Sequence, residues 1–477
     1  MWLKRRRLVL LTIFFILIWF AIILLTPSQL NDNKPRRQEE RGANNPELSK
    51  PKAAPRARPT IPRIRIVDID EDASDDQGER EREAQLRDEN HAIDIKEGPP
   101  HLIRIVDEVD QEQKDLWDLE GDLIPRDLPG GLRTLSAIWN LTASWVKPDA
   151  ITPRHNPYLG AVLHAMATRR IAEADVGFKG TQLKARLVLS GGQWVVFKPG
   201  RYKRDEIIEG TPYAGYDRHT GEIAAFHLDR VLGFHRAPIV VGRRVNLRTE
   251  IKPVASQSLL QTFSTQDKQT CFYGKCYYCK PSDPACSDED GMMEGSLTMW
   301  LPRHKKLKKW RHLWARTYRE NKKAKWELDA NYCQEILQTY PIEEHRQVVD
   351  MFDTAAFDYL IGNADRHQYE TFEEDGEQGM LLLMDSAKSF GNPHHDEKSV
   401  LAPLEQCCKI RKSTWTKLLS LQDGRLSLVM ARVLSHDPLA PVLTALHLQA
   451  MDRRLITVIQ VIHNCLQKHG QEFVLIQ

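Results

Sequence analysis

No charge sign dominates this sequence: 67 Lys and Arg against 65 Asp and Glu leave a formal +2 over 477 residues. Bulk charge therefore points to no particular class of partner. Nor is there a repeat architecture, because the one duplicated motif, IRIVD, occurs only at 64–68 and 103–107, short of the copies an array needs. One stretch lacks charge altogether. Leu8 to Thr26 is uninterrupted by any ionisable side chain, about long enough to span a bilayer as one helix. Lys4, Arg5, Arg6 and Arg7 precede it, which keeps that end cytosolic. No small-residue cleavage site follows, and the run exceeds a signal-peptide core. The expectation is a cytosolic tail 1–7, a signal anchor 8–26 and a lumenal remainder.

The segment 27–125 lacks what a core requires. "NDNKPRRQEERGANNPELSKPKAAPRARP" and "DIDEDASDDQGEREREAQLRDEN" are too polar to offset the entropy of ordering, and a disordered stem is expected. The eight cysteines, Cys271, Cys276, Cys279, Cys286, Cys333, Cys407, Cys408 and Cys465, form an even set that reads as disulfides in an oxidising lumen. Cys276 and Cys279 have the spacing of half a zinc site, but a second ligand pair is missing. Asn140-Leu141-Thr142 is a glycosylation sequon.

The compact domain is expected over 126–477, with a strand-rich lobe at about 150–297 and a larger helical lobe at about 302–477. "KGTQLKARLVLSGGQWVVFKPG" alternates about the turn Ser190-Gly191-Gly192 and reads as a hairpin ending at Lys198. "YDRHTGEIAAFHLDRVLGF" reads as a helix with Thr220 as N-cap, Ala225, Leu228 and Leu232 on one face, and Gly233 at its end. "RQVVDMFDTAAFDYLIG" spaces Val348, Phe352, Ala355 and Tyr359 as a core helix. Leu448, Met451, Leu455, Ile459, Ile462 and Leu466 form a stripe for core packing near the C-terminus. The fold class is α+β.

Behind the core helix, "IGNADRHQYETF" crowds Asp365, Arg366, His367 and Glu370. Phosphoryl transfer needs a lysine on nucleotide phosphates, acids holding metal and a carboxylate facing the acceptor hydroxyl. Protein kinases supply these as a strand lysine paired to a helix glutamate, a D-x-x-x-x-N loop and a later metal-binding aspartate. Lys198, Glu222, Asp365 with Glu370 in the Asn position, and Asp385 after the apolar "MLLLM" follow that order.

"GNADRHQYETF", "LLLMDSAKSFGNP", "EIAAFHLDRVLGFHRAP" and "CFYGKCYYC" over about 125–477 closely resemble the secretory-pathway kinases of family with sequence similarity 20, in its glycosaminoglycan xylosylkinase branch more than its casein-kinase branch. The resemblance implies an atypical two-lobed kinase-like fold, ATP as donor, Mn2+ (or Mg2+) as metal, and a Golgi enzyme phosphorylating the 2-hydroxyl of xylose in the proteoglycan linkage glycan. It implies Asp365 as the catalytic aspartate, Asp385 on metal and nucleotide, and Asp217 as second metal ligand. Gln182, Lys198 and Glu370 would contact ATP, and Thr298-Met299-Trp300-Leu301 would form the adenine hinge. Glu222 is the more kinase-like partner for Lys198, and the sequence does not divide its role from that of Asp217. The implied disulfides are Cys271–Cys286, Cys276–Cys279, Cys333–Cys407 and Cys408–Cys465. Gln368 and Ser386 depart from the family's usual "DRHHYE" and "DNAKS". Oligomers with itself or with family members belong to the same set of expectations.

Four alternatives are kept. The acceptor could be a protein serine. A type II Golgi glycosyltransferase could use the acidic "DIDED" at 68–72, although a stem is where a solvated charge run belongs. A pseudokinase would be expected to have lost at least one of Lys198, Asp217, Asp365 and Asp385, all present. The stretch 303–326, with eleven Lys or Arg against one Glu, is a solvated basic face or a dock for anionic glycan or acidic core protein; lumenal topology argues against nucleic acid. An acceptor pocket for a pyranose should be polar with one aromatic wall, and Tyr369 and Trp300 lie nearby in the motifs.

Overall fold

A computed structural model describes residues 119–126, 134–177, 180–319 and 321–477. The anchor 8–26, the "DIDED" run and both IRIVD copies lie outside these residues. Among the described residues no helix is long and apolar enough to cross a membrane. The folded body takes in Leu119 and Leu123, both buried, ahead of the expected start at 126. Arg230 holds the Leu119 carbonyl at 3.0 Å. At Gly160 an added Cβ would come within 2.4 Å of the Leu123 carbonyl, so only glycine lets this segment lie so close.

The first lobe opens with two helices, α1 (Leu135–Trp145) and α2 (Leu159–Thr168). The expected hairpin is β2 (Ala185–Leu189) and β3 (Gln193–Pro199); Gly191 and Gly192 take φ of 89° and 91° at its turn, a region L side chains avoid. β1 (Ile171–Val176), β4 (Val240–Asn246) and β8 (Met292–Met299) complete an antiparallel sheet in the order β1-β2-β3-β8-β4. A side sheet of β5 (Phe263–Gln266), β6 (Gln269–Phe272) and β7 (Ala285–Cys286) carries the Cys271–Cys286 disulfide. Helix α3 (His219–Val231) packs on β4 and β8. Its N-cap is Arg218, which makes no side-chain cap bond, and Thr220 lies inside the first turn rather than capping it. Gly233 ends it at φ 73°.

The second lobe forms around α5 (Arg346–Ile361), preceded by α4 (Tyr332–Thr339) and followed by α6 (Ala402–Cys407), α7 (Arg425–Leu434) and α8 (Ala445–His469). Every residue of α5 from Gln347 to Ile361 is buried, so it is a central helix and not an amphipathic one. Its buried acids have guanidinium partners: Asp350 with Arg236 at 3.4 Å and Arg411 at 2.6 Å, and Asp353 with Arg411. Gly362, at φ 68°, closes the helix and starts the acidic loop. Cys333–Cys407 ties α4 to α6, and Cys408–Cys465 ties the end of α6 to α8. β9 (Leu307–Arg311), from the basic stretch, pairs antiparallel with β10 (Gln368–Phe372) just after the acidic loop.

Candidate active site

Each lobe delivers its chemistry to one cleft of about 440 Å³. From β3, Lys198 places its ammonium 3.0 Å from Asp217, 2.5 Å from Glu222 and 2.5 Å from Asp385. Glu222 stands in the first turn of α3 and Asp217 two residues ahead of the helix. What brings them to Asp385 is close packing of α3 on the loop 386–389. The Arg218 N–H donates to Ala387 O at 2.8 Å and its Nε to Ser389 O at 2.6 Å. A Cβ on Gly221 would stand 2.6 Å from Ser389 Oγ, so glycine is what permits this approach. Asp385 itself sits at φ 58°, an uncommon backbone for a non-glycine residue and of the kind found at functional loops.

The electrostatics follow from three carboxylates sharing one ammonium. Burial opposes the charge on Lys198, but Asp217, Asp385 and Glu222 outweigh it and hold its pKa well above the ordinary lysine value. Lys198 pulls Asp385 well below the usual carboxylate range, although that side chain is 74% exposed to the cleft. Burial lifts Glu222 against the pull of Lys198. Its second oxygen accepts the Ser386 N–H at 3.4 Å.

Asp365 projects from the loop after α5. The Asn363 side chain accepts its N–H at 3.1 Å and donates to Asp358 at 3.1 Å. Arg366 forks onto Asp358 with bonds of 2.5 and 2.9 Å and donates to the Met384 carbonyl at 3.0 Å, which joins the Asp365 loop to the Asp385 loop. Burial raises the Asp365 pKa against the Tyr318 hydroxyl, which donates to it, and against His367 and Lys388. Two acids in one cleft thus have opposed shifts, the pattern that separates a proton acceptor from a charge holder. Tyr318, Lys388, Arg218 and Asp358 were not singled out by sequence reasoning, although Lys388 and Arg218 lie within the quoted "DSAKS" and "YDRH".

Gln182, Thr298, Trp300 and Glu370 also line the cleft. The segment carrying Gln182, just ahead of β2, is braced by the Cys276–Cys279 loop, whose Tyr277 and Tyr278 N–H groups donate to Gly180 O and Thr181 O at 2.9 and 3.2 Å. Met299 and Leu301 turn the other way, into a small cavity with Val146 and Ile151. The Met299 and Trp300 N–H groups are already bonded to Ile239 O and Trp194 O, at 2.8 and 2.9 Å. Glu370 faces Lys309 at 3.7 Å. Tyr369 is 5% exposed and belongs to the core, so it offers no wall to an acceptor. Asn140 is exposed on α1, while Thr142 is buried and donates to Trp139 O at 2.8 Å.

A strand lysine and a helix glutamate joined across a cleft to an aspartate loop, with a second aspartate loop below, define a two-lobed kinase-like phosphotransferase. The comparisons agree with this class. The chain belongs to the Fam20 family: residues 137–474 match the family described as Golgi casein kinase, C-terminal, Fam20. It is 57% identical over 344 residues to the human protein named glycosaminoglycan xylosylkinase, covering 72% of this chain and 84% of that protein. The structure of hydra Fam20 with sugar superposes with a TM-score of 0.68 at 47% identity, covering 71% of this chain and 97% of that one. The Golgi casein kinase with Mn/ADP bound gives 0.68 at 29% identity, covering 85% and 96%.

Proposed function

We propose that this chain is an ATP- and manganese-dependent kinase of the Golgi lumen that phosphorylates the 2-hydroxyl of xylose in the proteoglycan linkage glycan. The observation that carries the chemistry is the convergence of Asp217, Glu222 and Asp385 on Lys198 within the cleft that Asp365 also lines. The choice of a sugar rests on the 57% identity to human glycosaminoglycan xylosylkinase. The same reading has the anchor at 8–26, the stem after it and the catalytic domain in the lumen, with Asn140 glycosylated.

The donor set fits a divalent ion. Three carboxylates around one ammonium leave excess negative charge, and all-oxygen ligation suits manganese. Asp385 and Asp217 would hold it, and Glu222 would stay with Lys198. When bound, the metal offsets phosphate charge.

Lys198 steadies the inner phosphates as a point charge. Gln182, Glu370, Thr298 and Trp300 would border the nucleotide, whereas Met299 and Leu301 face the neighbouring small cavity. Asp365, whose pKa burial raises, orients the acceptor hydroxyl and takes its proton late in transfer. The acceptor oxygen bonds to the terminal phosphorus as the bridging oxygen leaves with ADP. The test is a pair of variants assayed with a galactosyl-xylose glycopeptide, ATP and Mn2+. Asp365→Asn should lose transfer by orders of magnitude and still bind nucleotide, whereas Asp385→Asn should lose metal-dependent nucleotide binding. Near-normal turnover in Asp365→Asn would sink the assignment.

A further inference from the structure

The basic stretch 303–326 has so far no part in the chemistry, yet it reaches the cleft. After β9 pairs with β10, the chain returns so that the Tyr318 hydroxyl donates to Asp365 Oδ1 and stands 3.0 Å from His367 Nδ1. Two rings fix that of Tyr318. Tyr213 meets it edge-on with centroids 4.7 Å apart, and His367 meets it at 5.6 Å and 89°. Tyr318 is still 44% exposed, so its hydroxyl has water available and is instead spent on a carboxylate, the stronger acceptor. Burial and Asp365 push the Tyr318 pKa far above its ordinary value, so it keeps its proton and acts only as a donor.

We propose that Tyr318 is a positioning residue for transfer: its hydroxyl holds Oδ1 of Asp365, fixes the rotation of that carboxylate and reserves Oδ2 for the acceptor's proton. The inference rests on the reading of Asp365 as the catalytic carboxylate. A carboxylate on a short side chain rotates freely unless one oxygen is tied, and misorientation of the proton acceptor costs rate without costing nucleotide affinity. The Asp365 N–H is bonded to Asn363, which fixes the backbone; Tyr318 supplies the side-chain restraint. The basic segment is thereby a strap that brings the Tyr318 hydroxyl to Asp365 in the cleft that Lys309 also lines.

The test is Tyr318→Phe in the full chain, assayed with a galactosyl-xylose glycopeptide, ATP and Mn2+. Removing a hydrogen bond to a charged group should lower kcat by roughly tenfold to a hundredfold and leave ADP affinity and the KM for ATP unchanged. The groups facing Asp365 are Tyr318, His367, Lys388, Arg218 and Asp385. Of these Tyr318 donates to the ionised form, so its loss should move the acid limb of the kcat–pH profile to higher pH. A purely structural role would lower melting temperature and ATP affinity together and leave the limb in place; that outcome overturns the proposal. Tyr213→Ala, which removes the ring's support and leaves the hydroxyl, should reproduce the kcat loss at smaller amplitude. Wild-type kcat in Tyr318→Phe beside an inactive Asp365→Asn would overturn this inference alone. An active Asp365→Asn would overturn the reading of Asp365 and the inference with it.

Discussion

Replacing Lys198 by methionine keeps the length of the side chain and removes the charge on which Asp217, Glu222 and Asp385 converge. Taking one partner from a buried ion pair costs about 3–5 kcal/mol, because the remaining charge is left without compensation. Two features place this case at the lower end. The Asp385 side chain is 74% exposed and can recover water, and Glu222, already lifted by burial, can take up a proton. A loss of about 3 kcal/mol corresponds to a melting temperature lower by roughly 4 °C in a folded body of this size. The pH dependence has a definite sign. Without the ammonium, nothing offsets the burial that already lifts Glu222, so its folded-state pKa moves further above its unfolded value near 4. Stability is then retained below that unfolded value and lost as pH rises through the folded one. The deficit against wild type should widen from pH 5 to pH 8, and Mn2+ should restore the variant more than it stabilises the parent. Thermal unfolding across that range, with and without Mn2+, reads all three effects. A variant melting within about 1 °C of wild type at every pH would refute the account of this cluster.

Other consequences are open to direct measurement. Asp217→Asn should weaken Mn2+ binding, read by electron paramagnetic resonance in the presence of ADP. Glu222→Gln should leave that binding largely intact and lower nucleotide affinity through Lys198; the reverse ranking would exchange the two roles. Cys408→Ser opens a bridge spanning 57 residues, worth about 4 kcal/mol in the chain-entropy account, and non-reducing peptide mapping should find Cys465 as a free thiol. Asp229, buried in α3, is lifted to about 6 by burial, against about 3.9 unfolded. Its stabilising contribution is full below about 3.9 and is lost as pH rises through about 6. Asp229→Asn keeps an acceptor for the Arg236 N–H, at 2.9 Å in the parent, without the charge. It should match wild type at pH 4 and melt higher at pH 7.5, by up to about 3 kcal/mol.

Local chemistry made much of the site legible. Lys198 ends a strand because its hairpin alternates, and Asp365 and Asp385 follow a closed helix and an apolar run that sequence periodicity resolves. The family resemblance added Gln182 and Asp217, which the structure brings to the same cleft. Long-range register was not legible. β9 exposes four of its five residues, so no alternation marks it as a strand; pairing with β10 makes it one. Tyr318 reaches Asp365 across 47 residues of chain, a contact no local pattern encodes. Tyr369, four residues after Asp365, goes to the core because alternate residues of β10 face inward. Thr220 fits a capping pattern, yet α3 starts earlier because Arg218 is held by the loop 387–389 instead. In each case a tertiary contact overrides the local preference.

The central claim is tested most directly by offering the full-length protein a galactosyl-xylose glycopeptide and a Ser-x-Glu peptide together, with ATP and Mn2+, and locating the phosphate by mass spectrometry and NMR. The account predicts phosphate on the xylose 2-hydroxyl and little on the peptide serine. Equal or faster labelling of the serine peptide would contradict it.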